Sequence, residues 1–256
     1  TRVMRPVLFE IFGFPIYSYG VMILLAVLVA VWIANRRAEA FGISKEFVSN
    51  AATWGLLFGV LGARVVFILQ ELPYYLQHRD ELFSLRFAGL TSFGGLLFGF
   101  LAIAVCAKRA RVKLLDFMDL AAPAVLVAHA IGRVGCLLNG CCYGGHCDLP
   151  WAIHVHGEQG LYHPAQIYDA LMNLAGLPIL FAFERRGRLP GRSAALFFVV
   201  HGTARFIYEF WRAGTTSTTI PGLPLTQAHV VALAVVLLGV GLWVWAARRS
   251  VGGGKP

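Results

Sequence analysis

The chain changes character between His129 and Gly144, where it reads HAIGRVGCLLNGCCYG. The segment begins as the end of a long apolar run and then changes abruptly to Gly, Asn and Cys, with one arginine, Arg133, at the change. Arginine binds anions through a fixed fork of N–H donors, and glycines free the neighbouring backbone. The segment therefore predicts an anion-binding site, and the rest of the sequence indicates which anion it binds.

Long apolar runs dominate the rest of the chain. Of its 256 residues, 58% are hydrophobic and only 14% are charged, against about a quarter charged in ordinary soluble domains. Seven apolar runs of about 18 to 22 residues are each long enough to cross the hydrocarbon layer as a helix. We therefore predict an all-α integral membrane protein with seven transmembrane helices. The runs are approximately Tyr17–Ala34, Ala51–Leu69, Leu90–Ala107, Leu114–Ile131, Ala165–Phe183, Ala194–Phe210 and Ala228–Ala247.

The positions of the basic residues indicate the topology. A net charge of +9 would suggest a nucleic-acid partner in a soluble chain, but most Lys and Arg residues follow the first, third, fifth and seventh runs. This positive-inside distribution predicts an outer N-terminus, a cytoplasmic C-terminus and no nucleic-acid partner. Arg36 and Arg37 directly follow the first run, so we expect a permanent helix there rather than a cleaved signal peptide.

The predicted organisation is a single membrane domain, residues 1–250, followed by a Gly-rich tail, residues 251–256. Residues 1–15 are expected to form a lead-in on the outer face, and further outer loops are expected at Glu71–Arg86, at about 132–163 and at Thr215–Pro224. The loop at about 132–163 contains four of the five cysteines. Outside the cytoplasm such a group favours disulfides or free thiols, and no metal is expected because the paired two-residue spacing of a zinc ribbon is missing. The connectivity stays open among Cys136, Cys141, Cys142 and Cys147.

Several polar residues and glycines lie within the apolar runs or at their ends. Arg64 in the second run is a functional-site hypothesis by default, and snorkelling to the outer surface is the alternative. Tyr19 is either a pocket residue or an interfacial anchor. Gly94 and Gly95 allow the close approach of a neighbouring helix or of a ligand.

A polar stripe marks the sixth run. His201, Arg205 and Glu209 are four residues apart, so they share a helix face on which Arg205 and Glu209 can pair. The stripe is either a functional site or a structural ion pair that holds the helix to the bundle. Several arginines converge at the predicted depth of phospholipid headgroups, and arginine suits phosphate because its fork donates two parallel hydrogen bonds. The polar residues expected at the outer helix ends are Tyr19, Arg64, Arg133, Asn139, His163, Gln166, Arg205, Glu209 and Arg212.

At these positions the sequence resembles the prolipoprotein diacylglyceryl transferase family. Six short motifs occur in the family's order across essentially the whole chain, and their joint occurrence is much more specific than any one of them. The motifs are Tyr19-Gly20, Gly62-Ala63-Arg64, Ser92-Phe93-Gly94-Gly95, Gly132-Arg133-Val134-Gly135 with Asn139 and Gly144, His163-Pro164-Ala165-Gln166-Ile167-Tyr168, and Arg205-Phe206-Ile207-Tyr208-Glu209.

The resemblance implies an activity. It implies transfer of a diacylglyceryl group from phosphatidylglycerol to the lipobox cysteine thiol of a prolipoprotein, the first step of lipoprotein modification, with release of glycerol phosphate. The expected partners are phosphatidylglycerol, the prolipoprotein signal peptide and membrane lipid, and no cofactor is expected. The expected location is the bacterial cytoplasmic (inner) membrane, with the active site facing the outer side.

The resemblance also implies roles for individual residues. Arg133 and Arg205 are expected to hold the phosphate, Glu209 to orient Arg205, and His201 to be a candidate base, so these four are the expected catalytic residues. The expected phospholipid-binding residues are Tyr19, Arg64, Asn139, Gly144, His163, Gln166, Tyr168 and Arg212.

Two departures from the family pattern matter for the chemistry. Phe93 stands where the family usually has a histidine before the paired glycines, and Cys136 and Cys141 stand where it has Asn and Glu. The attacking thiol needs a nearby base, for which His201, His129 and His163 are the candidates. The alternatives to the transferase are a phospholipid-dependent transferase with another acceptor, and a non-enzymatic thiol-redox or transport membrane protein that uses the cysteines.

Overall fold

A computed structural model describes residues 4–79, 89–212 and 225–252, which form two compact units. The first unit comprises Thr1–Ala34 with Met118–Pro256, and the second comprises Asn35–Phe117. The helices are α1 (Ser18–Ala38), α2 (Lys45–Gln70), α3 (Leu72–Gln77), α4 (Ser92–Arg109), α5 (Leu114–Asn139), α6 (Ala165–Arg185), α7 (Arg192–Glu209) and α8 (Gln227–Gly252). The described part of the predicted loop Glu71–Arg86 contains α3, whereas the predicted loop Thr215–Pro224 and the end of the Gly-rich tail lie outside the described residues.

The helices make this a multi-pass membrane protein. Six of them in the described ranges are long and apolar enough to cross a bilayer: α1, α2, α4, α5, α6 and α8. The seventh predicted span is present as α7, but its 18 residues include Arg192, Arg205 and Glu209, so its composition is less apolar than that of the other six. The same polar stripe that drew attention to this segment in the sequence lowers its hydropathy.

The N-terminal residues correct the prediction of a purely helical chain. Strand β1 (Val7–Ile11) pairs antiparallel with β2 (Phe14–Tyr17). Both residues of the connecting turn have positive φ, 51° at Phe12 and 81° at Gly13, as a tight hairpin turn requires. The backbone N–H of Arg5 donates to the Leu138 carbonyl at 2.9 Å, so the lead-in is bonded to the end of α5.

The paired glycines of α4 pack against α2 within the second unit. A Cβ atom added at Gly94 would lie 2.5 Å from the Gly62 carbonyl oxygen, and one added at Gly99 would lie 3.0 Å from the Gly55 carbonyl oxygen. Of the two interpretations offered for Gly94 and Gly95, close helix packing therefore has structural support.

Helix α5 is longer than predicted. The sequence placed the start of the outer loop near Gly132, whereas the helix continues to Asn139 and the chain turns at Gly140, where φ is 73°. Gly135 does not end the helix because its missing side chain makes room for α1. A Cβ atom there would lie 2.9 Å from the Met22 Cβ atom and 3.3 Å from Cδ2 of Tyr19.

Asp119 joins α5 to the start of α7. Its carboxylate is buried and accepts hydrogen bonds from the backbone N–H groups of Gly191, at 2.6 Å, and Ala194, at 2.8 Å. These N–H groups belong to the first turn of a helix and have no partner within it. Asp119 therefore fixes the position of α7, which carries the polar stripe.

We predict that Asp119→Ala lowers the free energy of unfolding by about 1 to 3 kcal/mol, because it leaves two buried N–H groups without an acceptor. Denaturant unfolding of the purified protein in detergent measures the change. The control is Asp116→Ala, which removes a partly exposed carboxylate from the same helix and should leave stability close to wild type. Equal stability of both variants would contradict the capping role.

Candidate functional site

A buried carboxylate on α6 holds the arginine of the opening segment. Asp169 is 0% exposed, and its Oδ2 atom accepts a hydrogen bond from Nε of Arg133 on α5. The same oxygen lies 2.8 Å from Nε2 of His129, which is one helical turn before Arg133. Both partners of Asp169 therefore lie on one face of α5, as their four-residue spacing requires.

The polar network continues from Asp169 to α7. Nδ2 of Asn173 donates to Oδ1 of Asp169 at 3.0 Å, and Oδ1 of Asn173 lies 2.9 Å from Nδ1 of His201. The His201 ring also packs edge-to-face on the His129 ring, with centroids 4.8 Å apart. The expected base His201 is thus part of a network that joins α5, α6 and α7.

A second buried carboxylate holds the other arginines. Nη1 of Arg205 lies 2.5 Å from Oε2 of Glu209, which confirms the pair predicted from their spacing. Nη1 of Arg212 lies 3.7 Å from the same oxygen, and the Thr226 hydroxyl donates to Oε1 at 3.2 Å. Glu209 is 6% exposed, so this carboxylate is desolvated and depends on the three partners.

Tyr208 brings the two arginine groups together. Its ring lies 4.7 Å from Cζ of Arg133 and 4.9 Å from Cζ of Arg205, within the range of cation–π attraction. The residue is 1% exposed, and its hydroxyl donates to the Cys142 carbonyl at 3.0 Å. One buried aromatic ring therefore contacts both arginines and the cysteine-containing turn.

The turn after α5 gathers three cysteines. The Sγ atoms of Cys136, Cys141 and Cys142 all lie within 4.8 Å of one another. All five cysteines of the chain fall within the described residues and are free thiols, so the suggested pairing of Cys141 or Cys142 with Cys147 is not formed. Nε2 of Gln166 donates to the Cys141 carbonyl at 2.6 Å. Gln166 is 0% exposed, so this contact makes it an anchor of the turn.

The Cys142 thiol has an unusual electrostatic environment. Hydrogen bonds with the Cys136 and Cys141 thiols hold the pKa of Cys142 well below its usual range, and the positive charges of Arg133 and Arg212 act in the same direction. Burial opposes the shift. The turn therefore favours a thiolate at this position.

Gly144 lets the loop pass between two other segments. Its backbone N–H donates to the His163 carbonyl at 2.8 Å, and the residue forms an antiparallel bridge with Arg212. A Cβ atom at Gly144 would lie 2.6 Å from the Trp211 carbonyl oxygen and 2.7 Å from the His163 Cβ atom. Any side chain here would displace the backbone that carries Arg212.

The remaining predicted residues of the first unit lie around this centre. Nδ1 of His163 lies 3.2 Å from the Tyr168 hydroxyl, which accepts a hydrogen bond from Nε1 of Trp151 at 2.7 Å. Asn139 is exposed at the end of α5 and forms a side-chain hydrogen bond with Cys141. Tyr19 is 42% exposed and packs beside Gly135 at the start of α1.

Arg64 belongs to the second unit. Nη1 donates to the Gly89 carbonyl at 3.4 Å, and Cζ lies 5.4 Å from the centre of the Tyr75 ring. Phe93, which replaces the family's usual histidine, also lies in this unit and is 70% exposed. The structure thus describes Arg64 by its contacts inside the second unit.

The charges of the centre do not cancel. Arg133, Arg205 and Arg212 carry three positive charges, and the two carboxylates Asp169 and Glu209 carry two negative ones. The centre therefore retains one positive charge when His129 is neutral. The Asp169 contact uses only Nε of Arg133, whereas a guanidinium has five N–H donors. The arrangement suits a monoanion such as a phosphodiester.

Sequence reasoning missed Asp169, Asn173 and Tyr208. Asp169 had a usable signal, because an acidic residue inside a predicted membrane span is itself a functional-site hypothesis. Tyr208 had a weaker one, since it lies inside the quoted Arg205–Glu209 motif but reads as an ordinary aromatic residue of an apolar helix. Asn173 had none, because its importance comes from its contacts with Asp169 and His201.

We predict that Asp169→Leu lowers the free energy of unfolding by about 3 to 5 kcal/mol, because it leaves Arg133 buried without its counter-ion. The double variant Arg133→Met with Asp169→Leu should be less destabilised than the sum of the single variants, with a coupling of at least about 0.5 kcal/mol. Unfolding in detergent of the four proteins of this cycle measures the coupling. Additive effects would show that the two side chains are not energetically paired.

Comparison with known proteins places this geometry in a family. The family profile for prolipoprotein diacylglyceryl transferase matches residues 6–245. Curated proteins named phosphatidylglycerol–prolipoprotein diacylglyceryl transferase are similar over nearly their whole length. That of Clostridium tetani is 29% identical, covering 93% of this chain and 96% of the relative. Those of Finegoldia magna and Methylobacillus flagellatus are 31% and 32% identical, covering 94% and 95% of this chain and 95% and 97% of the relatives. The chain belongs to the prolipoprotein diacylglyceryl transferase family.

Proposed function

We propose that this protein transfers the diacylglyceryl group of phosphatidylglycerol to the cysteine thiol in the lipobox of a prolipoprotein signal peptide. The thiol sulfur attacks the glyceryl carbon that bears the phosphate, the carbon–oxygen bond breaks, and glycerol phosphate leaves. The thiol proton is released, so the reaction needs no oxidant or reductant. The contact of Arg133 and Arg205 with one ring, that of Tyr208, is the observation that carries this proposal.

The charge of the centre matches this substrate. Phosphatidylglycerol carries one negative charge on its phosphodiester, and the three arginines exceed the two carboxylates by one positive charge. As the carbon–oxygen bond breaks, negative charge accumulates on the departing phosphate. Arg133 and Arg205 lie where they can stabilise that charge with little reorganisation, because Asp169 and Glu209 hold them in place.

Several contacts support a positioning role for the other polar residues. Glu209 orients both Arg205 and Arg212, and Gly144 fixes the backbone of Arg212. Asn139, His163 and Tyr168 surround the turn and the loop, where a headgroup would enter. Tyr19 lines the same region from α1, and His201 is the proposed base. We extend the phospholipid-binding role to Arg64 through its family motif.

The membrane topology follows from the same arrangement. We propose seven spanning helices, with α7 as the sixth in order, an outer N-terminus and a cytoplasmic C-terminus in the bacterial cytoplasmic membrane. The basic residues at the ends of α1, α4, α6 and α8 support this orientation. The opposite side then holds the end of α5, the start of α6 and the end of α7, which carry Arg133, Gln166 and Glu209. The phosphate site would face the outer leaflet, where the secreted preprotein emerges.

We predict that Arg205→Ala lowers kcat/KM for transfer of radiolabelled diacylglycerol from phosphatidylglycerol to a lipobox peptide by about 10²- to 10³-fold. Arg205→Lys should recover only part of the loss, because a lysine cannot form the two parallel hydrogen bonds. The control is Arg248→Ala, which removes an exposed arginine near the end of α8 and should transfer label at the wild-type rate. Undiminished labelling by a folded Arg205→Ala protein would exclude this phosphate site.

A further inference from the structure

The three thiols of the turn after α5 have the spacing of a metal-ligand set. Zinc binds thiolate sulfur at about 2.3 Å, so sulfurs around one tetrahedral ion lie about 3.8 Å apart. Sγ of Cys141 lies 3.7 Å from Sγ of Cys142, and all three Sγ atoms lie within 4.8 Å of one another. Small side-chain rotations would bring the Cys136 sulfur to the same spacing. Both the chemistry and the geometry of the group therefore fit a soft divalent ion.

The backbone that carries these thiols is held from several sides. The buried side chains of Gln166 and Tyr208 donate to the carbonyls of Cys141 and Cys142. Cys142 has a φ of 63°, a left-handed conformation that a residue other than glycine rarely adopts. The strained residue turns its thiol toward Cys136 instead of away from it. Strain that is maintained by buried partners is typical of functional sites.

The surroundings compensate the charge of such a site. Three thiolates and one divalent cation together carry one negative charge. Arg133 and Arg212 lie close enough to act electrostatically on Cys142, and so offset that charge. The ligand set also leaves a coordination position open, since it contains three residues of the described chain rather than four. Three protein ligands with an open fourth position are the arrangement of catalytic zinc sites.

We propose that Cys136, Cys141 and Cys142 bind a zinc ion whose fourth ligand is the acceptor thiol of the lipobox cysteine. This proposal rests on the transferase function proposed above and adds the group that activates the nucleophile. The sequence alone predicted no metal, because the spacing of the cysteines does not follow the zinc-ribbon pattern. The end of α5 and the strained turn create the ligand set only in the folded chain.

The proposed step is balanced in atoms and electrons. The lipobox thiol loses its proton to solvent when its sulfur binds zinc, because the thiolate is the metal ligand. The bound sulfur forms a bond with the glyceryl carbon, the carbon–oxygen bond breaks, and its electron pair leaves with the glycerol phosphate. Zinc keeps its oxidation state throughout.

A metal-bound thiolate also resolves the question of the base. His129 contacts Asp169, His163 contacts Tyr168, and His201 contacts Asn173. Each candidate histidine is therefore engaged in a hydrogen bond that fixes its ring. Zinc removes the need for one of them to take the thiol proton in the transition state.

The first test measures metal in the full-length protein, purified in detergent under reducing conditions. We expect one zinc ion per chain by elemental analysis and, after exchange to cobalt, the sulfur-to-metal charge-transfer absorption of thiolate ligands. Cys142→Ser should lose both signals, whereas Cys147→Ser, a change in the same loop, should keep them. A reduced wild-type protein that takes up neither zinc nor cobalt would overturn the proposal, and so would a native disulfide between two of the three cysteines.

The second test separates the metal from the transferase function. The cobalt absorption of the wild-type protein should shift when a lipobox peptide is added, and should not shift with the peptide whose cysteine is replaced by serine. Transfer from phosphatidylglycerol should fall at least tenfold after chelation and recover with zinc. Transfer that is unaffected by complete metal removal would overturn the metal proposal and leave the transferase intact. A peptide-dependent shift without any transfer from phosphatidylglycerol would support the zinc–thiol contact and reject the transferase function instead.

Discussion

The structure of the site depends on one buried carboxylate, that of Asp169. A charge that is fully removed from water is stable only with partners, and this one has Arg133 and His129 from the preceding helix and Asn173 from its own. The requirement works in both directions. Asp169 needs positive charge beside it, and by meeting that need α5 and α6 pack in the one register that places Arg133 beside Tyr208.

The second acid, Glu209, repeats this solution on α7 with Arg205 and Arg212. Two separate acid–arginine groups thus meet at a single aromatic ring. Because each acid occupies only part of the donors of its arginines, the cations remain able to bind an anion while their side chains stay fixed. A fully paired site would have no affinity for phosphate, and unpaired arginines would be costly to bury.

Local sequence features predicted local structure well and distant contacts poorly. The apolar runs located the membrane helices, and the four-residue spacing of Arg205 and Glu209 predicted their ion pair, because both depend on neighbours along the helix. The partner of Arg133 is 36 residues away on another helix, and nothing in the spacing identifies it. The glycines at Gly132 and Gly135 looked like a helix end, although Gly135 is needed for the approach of α1. The hairpin at Val7–Tyr17 was missed because its apolar residues look like the start of the first span.

The N-terminal hairpin has a consequence for how deep the reaction centre lies. Its turn exposes large apolar side chains, with Phe12 98% and Phe14 73% exposed, and transfer of such surface from water to lipid is favourable. The base of the hairpin is bonded to both neighbouring helices, through Arg5 to Leu138 and through Ser18 to Pro6. A hairpin that dips into the acyl chains therefore acts as a float. It sets the height of the cysteine turn relative to the lipid surface, and so decides whether the arginines meet phosphates or the chains beneath them.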